Sequence, residues 1–273
     1  MTTSEKLNQP ESKATNLETY SGEDQVISSY EMQLRIQNAK VPTFQINSGI
    51  PALDYYIEGF RGGELIAISG ITKHGKTLLA QTLTMNFLKQ KQQSLWFSYE
   101  VPVRDFLSKF PEFPSLLLPA RLKAYALDWL EERIMESFLK YHTRIIFIDH
   151  LHFLFDMAKA KNTSLEIGTV IRRLKKLAID NEFVIFLLCH TKKGKDDELS
   201  YDSIRDSSLV AQESDSVILM RRVPKINENA AQCKVEFHRR TGVMEKGFWM
   251  IKEKGLLYEW EPPEEEKTTK RKY

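Results

Sequence analysis

The stretch whose reading decides the fold is GITKHGKTLLA, residues 70–80. Gly70 and Gly75 stand five positions apart and Lys76 and Thr77 follow at once, giving G-x-x-x-x-G-K-[ST]. A run of β-formers, ELIAIS at 64–69, precedes it, and a helix is expected over 77–91. In that context the glycines let backbone N–H groups turn inward on a phosphate, and the following helix N-terminus adds positive potential. By composition alone such a four-position pattern would arise in roughly one chain in a hundred of this length. The reading is therefore a nucleotide cradle made of Gly70, Ile71, Thr72, Lys73, His74, Gly75, Lys76, Thr77 and Leu78. Lys76 is expected to reach the β and γ oxygens of ATP, and the Thr77 hydroxyl to ligate Mg²⁺. His74 is an uncommon choice in such a loop, and either contacts nucleotide or points to solvent.

Outward from this loop the chain alternates strand and helix. Short apolar runs occur at 64–69, 94–99, 144–148, 183–189 and 216–220, each too short for a good helix. Helices are expected over 77–91, 123–141 and 163–180. The second carries Leu127, Leu130, Ile134, Phe138 and Leu139 on one face; the third carries Val170, Ile171, Leu174, Leu177 and Ala178 after a Thr163/Glu166 capping box. This alternation implies an α/β fold with a mostly parallel central sheet and helices on both faces. Segments 234–240, 247–252 and 255–260 read as antiparallel strands added at one edge.

Ligands in such sheets bind beyond the carboxyl ends of the strands. The second run stops at Glu100, the third at Asp149 and the fourth at His190, so three chemically useful side chains share one rim. Asp149 is expected to hold Mg²⁺ with Thr77, Glu100 to polarise the attacking water, and His190 to sense the γ-phosphate. His150 and His152 form an H-x-H pair that invites a zinc reading. That reading is set aside, because no second ligand pair stands at a fitting distance in the sequence.

The remainder of the chain sets limits. With 39 Lys+Arg against 37 Asp+Glu, the net charge of +2 supplies no global field for nucleic acid or membrane, so any polyanion site must be local. Cys189 and Cys233 show no disulfide spacing, which suits a reducing, cytoplasmic compartment. The longest apolar stretch, residues 183–189, is far below the roughly 20 residues of a membrane span. Residues 1–25 and 261–273 are polar or charged and are expected to be disordered. Residues 26–40 form a candidate linker helix, and 41–260 a single ATPase domain.

Taken in order, INSGIPALDYYIEGFRGGELIAISGITKHGKT, WFSYEVP, IIFIDHLHFL, VIFLLCHTKK, IRDSSLVAQESDSVILMRR and HRRTG resemble the RecA-like P-loop ATPase domain of DnaB-type hexameric replicative helicases. The resemblance covers about residues 43–252. It implies that Glu100 is the catalytic base, with His190 replacing the family's glutamine at that strand end. It also implies a site completed in trans by the neighbouring protomer's basic hairpin, here His238, Arg239 and Arg240, with Arg240 at the finger position and His238 where bacterial members usually carry lysine. Single-stranded DNA is implied as partner for the loops after the third and fourth strands, which here carry Lys159 and Lys161, and Lys192, Lys193 and Lys195. The expected protein is an ATP-dependent ring-forming helicase or translocase, a homo-hexamer moving 5′ to 3′ in DNA replication. A non-unwinding RecA-like ATPase, either a recombinase or a KaiC-like protein, and a nucleotide-gated loader remain open alternatives. A primase-binding helical domain of the bacterial kind is not expected in the roughly 40 residues before the ATPase region.

Overall fold

The computed structural model describes residues 20–22, 25–38, 43–155, 163–190 and 208–263. It divides into two units, Met1–Pro42 and Thr43–Tyr273. In the first, helix α1 (Ser29–Asn38) begins where Ser28 Oγ accepts the Glu31 N–H at 3.1 Å, and a Glu31–Arg35 pair at 2.7 Å spans one turn. Tyr30, Leu34 and Ile36 on this helix are exposed.

The second unit opens with a short antiparallel ribbon, β1 (Gln45–Ile46) and β2 (Phe60–Arg61), bracketing α2 (Pro51–Ile57). The main body then alternates: β3 (Leu65–Gly70), α3 (Lys76–Lys89), β4 (Ser94–Ser98), α4 (Val103–Ser108), α5 (Leu127–Tyr141), β5 (Ile145–Asp149), α6 (Thr163–Asn181), β6 (Val184–His190), α7 (Ser208–Glu213) and β7 (Ser216–Arg222). β8 (Ala230–His238), β9 (Val243–Glu253) and β10 (Leu256–Glu259) complete an eight-stranded sheet of order β10-β9-β8-β7-β3-β6-β5-β4. The five strands from β7 to β4 are parallel, and β8, β9 and β10 extend the β7 edge antiparallel, as the sequence pattern predicts.

Each central strand is apolar on both faces because it serves two cores. Ile66 and Ile68 of β3 face one core with Phe147 and Phe186, while Leu65 and Ala67 face the other with Ile146, Ile185 and α6 residues Val170, Ile171 and Leu174. A period of two within an unbroken apolar run is what a sheet covered on both sides demands. The first core is aromatic: Trp96 stacks on Phe147 at 4.5 Å, Phe147 on Phe186 at 4.5 Å, and Phe60 meets Phe186 edge-on at 4.8 Å. Burying such a ring stabilises by about 1.5–3 kcal/mol each.

Two local readings needed correction. α5 begins at Leu127 rather than at 123, because Tyr125 holds a left-handed backbone (φ 55) that cannot continue a helix. Leu139 is 70 % exposed, so the buried stripe of α5 is carried by Leu130 and Ile134.

Candidate functional site

The position of β6 organises the site. It lies between β3 and β5, with Gly70 opposite His190 in one ladder and Asp149 opposite Leu188 in the next, while Ser98 of β4 pairs with Asp149. The ends of β3, β6, β5 and β4 therefore open on one rim, and a cavity of about 470 Å³ sits there, bordered by Lys76, Thr77, Glu100, Asp149 and His190.

The loop from β3 to α3 needs its glycines. A side chain at Gly70 would drive its Cβ into the Met220 carbonyl oxygen of adjacent β7, and Gly75 takes φ +100 at the helix N-cap. The turn brings the His74 N–H to the Ile71 carbonyl at 3.2 Å. Lys76 is buried, and its Nζ donates to the carbonyl oxygens of Gly70 (2.8 Å) and Ile71 (3.1 Å). Burial pulls its pKa below the usual ammonium value, opposed by the Glu100 and Asp149 charges. Thr72, Lys73 and Leu78 also line the cavity, and Lys73, His74 and Leu78 border a second hollow of about 230 Å³ beside Asn229 and Leu257.

Thr77 Oγ1 donates to Asp149 Oδ2 at 2.9 Å. Burial raises the Asp149 pKa to about 6; the Thr77 hydrogen bond and Lys76 pull it down, while the Glu100 charge pushes it up. This hydroxyl–carboxylate pair offers hard oxygen donors, as Mg²⁺ requires. Thr72 Oγ1 lies 3.4 Å from His190 Nδ1, so the loop touches the β6 end directly.

The histidines form a group that linear spacing did not disclose. His150 packs against His190 at 4.5 Å between ring centroids and against His152 at 5.1 Å. Burial, followed by the nearby His190, His152 and Lys76 charges, lowers the His150 pKa to about 3, so its ring is neutral at physiological pH. The sequence offered no second ligand pair for a zinc site on His150 and His152. The fold brings His150, without His152, together with Glu100 and His190, their ligand atoms within 4.8 Å of one another.

The basic hairpin lies on the opposite side of β7. His238 is buried, with Nδ1 2.8 Å from Thr241 Oγ1 and Nε2 3.6 Å from Glu64 Oε1. Arg240 is held within its own chain: Nε donates to Glu64 Oε1 (2.9 Å), Nη1 to Glu58 Oε2 (3.3 Å), and Nη2 to the carbonyls of Ile57 and Gly59 (both 2.7 Å). Arg239 is the more exposed of the two arginines, its Nη2 donating to the Gln212 carbonyl at 2.7 Å.

Some residues of consequence were missed. Lys109, Lys252 and Gly255 border the cavity from α4 and the β9–β10 hairpin, and nothing in their local sequence marks them. Asp215 explains part of the IRDSSLVAQESDSVI stretch: its carboxylate accepts the Leu65 N–H (2.8 Å) and Lys175 Nζ (2.6 Å), and its carbonyl accepts the Arg239 N–H (2.7 Å). It thereby fastens the start of β3, α6 and the basic hairpin together. Lys159, Lys161, Lys192, Lys193 and Lys195 lie outside the described residues. No helix among the described residues is long and apolar enough to cross a membrane.

Comparison with known proteins agrees with this fold. One solved ATPase domain superposes with a TM-score of 0.71 at 17 % identity, covering 85 % of this chain and 97 % of that one. A DnaB-like replicative helicase, solved in a study of its interactions with primase, gives 0.70 at 18 % identity over 91 % of this chain and 70 % of the other. Both likenesses concern the fold. Among curated relatives, a probable replicative DNA helicase of Trieres chinensis is 22 % identical over 251 residues, covering 78 % of this chain. The replicative DNA helicase DnaB of Helicobacter pylori (strain J99 / ATCC 700824) is 24 % identical over 271 residues, covering 85 %. The chain spans 55 % of the length of each of these relatives. The family model for the DnaB-like helicase C-terminal domain matches residues 45–112 and 120–250. With a phosphate-type loop, a carboxylate-bearing rim and a basic edge hairpin in the family's order, the chain belongs to the DnaB-like helicase C-terminal domain family.

Proposed function

We propose that this chain is the ATP-driven motor of a hexameric ring helicase that moves 5′ to 3′ along single-stranded DNA during replication in the cytoplasm. One observation carries the reading: Lys76, Thr77, Asp149, Glu100 and His190 converge on a single cavity at the ends of four neighbouring parallel strands. Mg²⁺, when bound, would supply positive charge that offsets the charge of the ATP phosphates. Thr77 and Asp149, their oxygens 2.9 Å apart, would hold it.

Lys76 exchanges the Gly70 and Ile71 carbonyls for phosphate oxygens, a favourable trade for a buried cation held by neutral acceptors. The backbone N–H groups of residues 71–77 orient the phosphates. Glu100 orients the attacking water and accepts its proton. His190 touches the terminal phosphate, and its bond to Thr72 ties the end of β6 to the loop. Lys192, Lys193 and Lys195 follow His190 directly, and Lys159 and Lys161 follow β5, so strand contacts made by these lysines would change with the state of the nucleotide.

The basic hairpin completes the site of a neighbouring subunit, with Arg240 as the finger, His238 beside it and Arg239 reaching outward. Arg240 must then exchange its acceptors in its own chain for phosphate when subunits dock. The helicase reading draws on the names of the relatives, and the trans finger on the family resemblance. A forked-duplex unwinding assay tests the whole: wild-type protein should separate the strands only with ATP and Mg²⁺, and Lys76→Ala should not. Failure of the wild-type protein to unwind, alongside ATP turnover indifferent to single-stranded DNA, would contradict the reading.

A further inference from the structure

The rim holds a second grouping, which joins Glu100 and His190 of the proposed ATP site to His150, a residue given no part in that chemistry. Glu100, His150 and His190 each contribute a ligand atom, all within 4.8 Å of one another. They follow or end three adjacent strands, β4, β5 and β6, so their closeness is set by the sheet itself. The His150 and His190 rings meet edge to face at 4.5 Å, and His150 Nδ1 is buried with no hydrogen-bond partner among the described residues. A buried imidazole nitrogen in that condition is costly and calls for a partner. Thr72 Oγ1, 3.4 Å from His190 Nδ1, is an outer contact of the kind that orients a ligating ring.

We propose that Glu100, His150 and His190 form a binding site for a borderline-soft divalent ion, Zn²⁺ foremost, separate from the Thr77–Asp149 pair. Two imidazoles and one carboxylate, with a fourth position open to solvent, make a set that zinc accepts in tetrahedral geometry. Mg²⁺ prefers an all-oxygen octahedron and does not compete well for the two nitrogens. Zinc bonds of 2.0–2.1 Å place tetrahedral ligand atoms about 3.4 Å apart, so the three groups need to close by at most about 1.4 Å. Glu100 is exposed, so its side chain has room to rotate toward the two rings. The ion would hold Glu100 and His190 away from water and terminal phosphate, so its occupancy would switch ATP turnover off. That consequence rests on the proposed function, whereas the site stands on its own geometry.

The test is a titration of metal-stripped, full-chain protein with Co²⁺ and then Zn²⁺ in excess Mg²⁺, followed by visible absorption and calorimetry. One Co²⁺ per chain with an intense tetrahedral spectrum, displaced by Zn²⁺, is expected. His150→Asn and His190→Gln should each weaken binding at least about tenfold, as loss of one of three ligands demands, and Lys76→Ala, which removes a nearby positive charge, should not weaken it. Thermal melts confirm that each variant is folded, and His190→Gln, with a side chain of similar reach, carries the test should His150→Asn fail to fold. A weak octahedral spectrum, no saturable binding, or affinity untouched by both substitutions would overturn the proposal. Zinc that binds as expected yet leaves ATP turnover intact would contradict the role given to Glu100 and leave the site standing.

Discussion

Replacing Arg240 by alanine separates what the residue does in its own chain from what it does for a neighbour. Its guanidinium satisfies the Ile57 and Gly59 carbonyls and pairs with Glu64, whose side chain is only 9 % exposed. Removing one partner of a largely buried ion pair costs about 3–5 kcal/mol, and the partial exposure of Arg240 places this case near the lower figure, about 3 kcal/mol. For a domain of this size that loss lowers the melting temperature by roughly 6–12 °C. The effect should appear in dilute, nucleotide-free protein, where no neighbour is engaged. Arg240→Lys should recover less than half of it, since an ammonium cannot serve a forked set of acceptors.

The loss should also depend on pH. Burial alone would raise the Glu64 pKa, but the His238 contact, the Arg61 N–H and Arg240 outweigh it and hold it below the ordinary value. A depressed carboxyl stabilises the fold above its unfolded pKa of about 4.5, and that contribution fades as pH falls through the folded value. The gap between wild type and Arg240→Ala should therefore narrow below about pH 4.5, where Glu64 takes up a proton in the variant. Calorimetric melts at pH 7.5 and pH 4 measure both effects. A melting temperature within 2 °C of wild type at pH 7.5, a margin below the smallest shift of about 6 °C expected, would refute the cis role of Arg240.

Other substitutions probe the rim and its frame. Asp149→Asn should stabilise the nucleotide-free chain by about 3 kcal/mol at pH 7.5, because the buried carboxyl's raised pKa, about 6, costs stability as pH climbs from near 4 to 6 and holds that cost above. The same substitution should abolish Mg²⁺-dependent nucleotide binding, and paired melts at pH 5 and 7.5 with a nucleotide titration check both effects. Gly70→Ala should cost about 2 kcal/mol or more, since its Cβ meets the immovable Met220 carbonyl; a denaturant midpoint equal to wild type would contradict it. Asp215→Ala should cost about 3 kcal/mol, by leaving the Leu65 N–H without its acceptor and Lys175 with the Gly63 carbonyl but no counter-charge. Thermal melts report it, and a loss under 1 kcal/mol would remove Asp215 from its place as fastener.

What the sequence disclosed, and what it withheld, follows from range. β3, β5 and β6 are legible because strands buried on both faces must be short unbroken apolar runs. The phosphate loop is legible because its chemistry lies within eight consecutive residues. The two-residue strands β1 and β2 carry too little pattern to register, and six-residue α4 lacks a full amphipathic repeat. The meeting of His150 with His190 depends on β6 being inserted between β3 and β5, a matter of strand order that no local spacing encodes. The contacts of Arg240 within its own chain were not legible because its acceptors, Ile57 to Glu64, lie some 180 positions upstream.

Mixing inactive subunits tests the central claim, a phosphate site in one copy completed by a cation from the next. Lys76→Ala and Arg240→Ala proteins, each inactive alone, are combined at equal concentration well below the melting temperature of either, and ATP turnover on single-stranded DNA is followed. In a ring of head-to-tail interfaces, an intact phosphate loop meets an intact finger at about one interface in four, so the mixture should recover about a quarter of wild-type turnover. A mixture no more active than its parts, or an Arg240→Ala protein that alone hydrolyses ATP at the wild-type rate, would contradict the account.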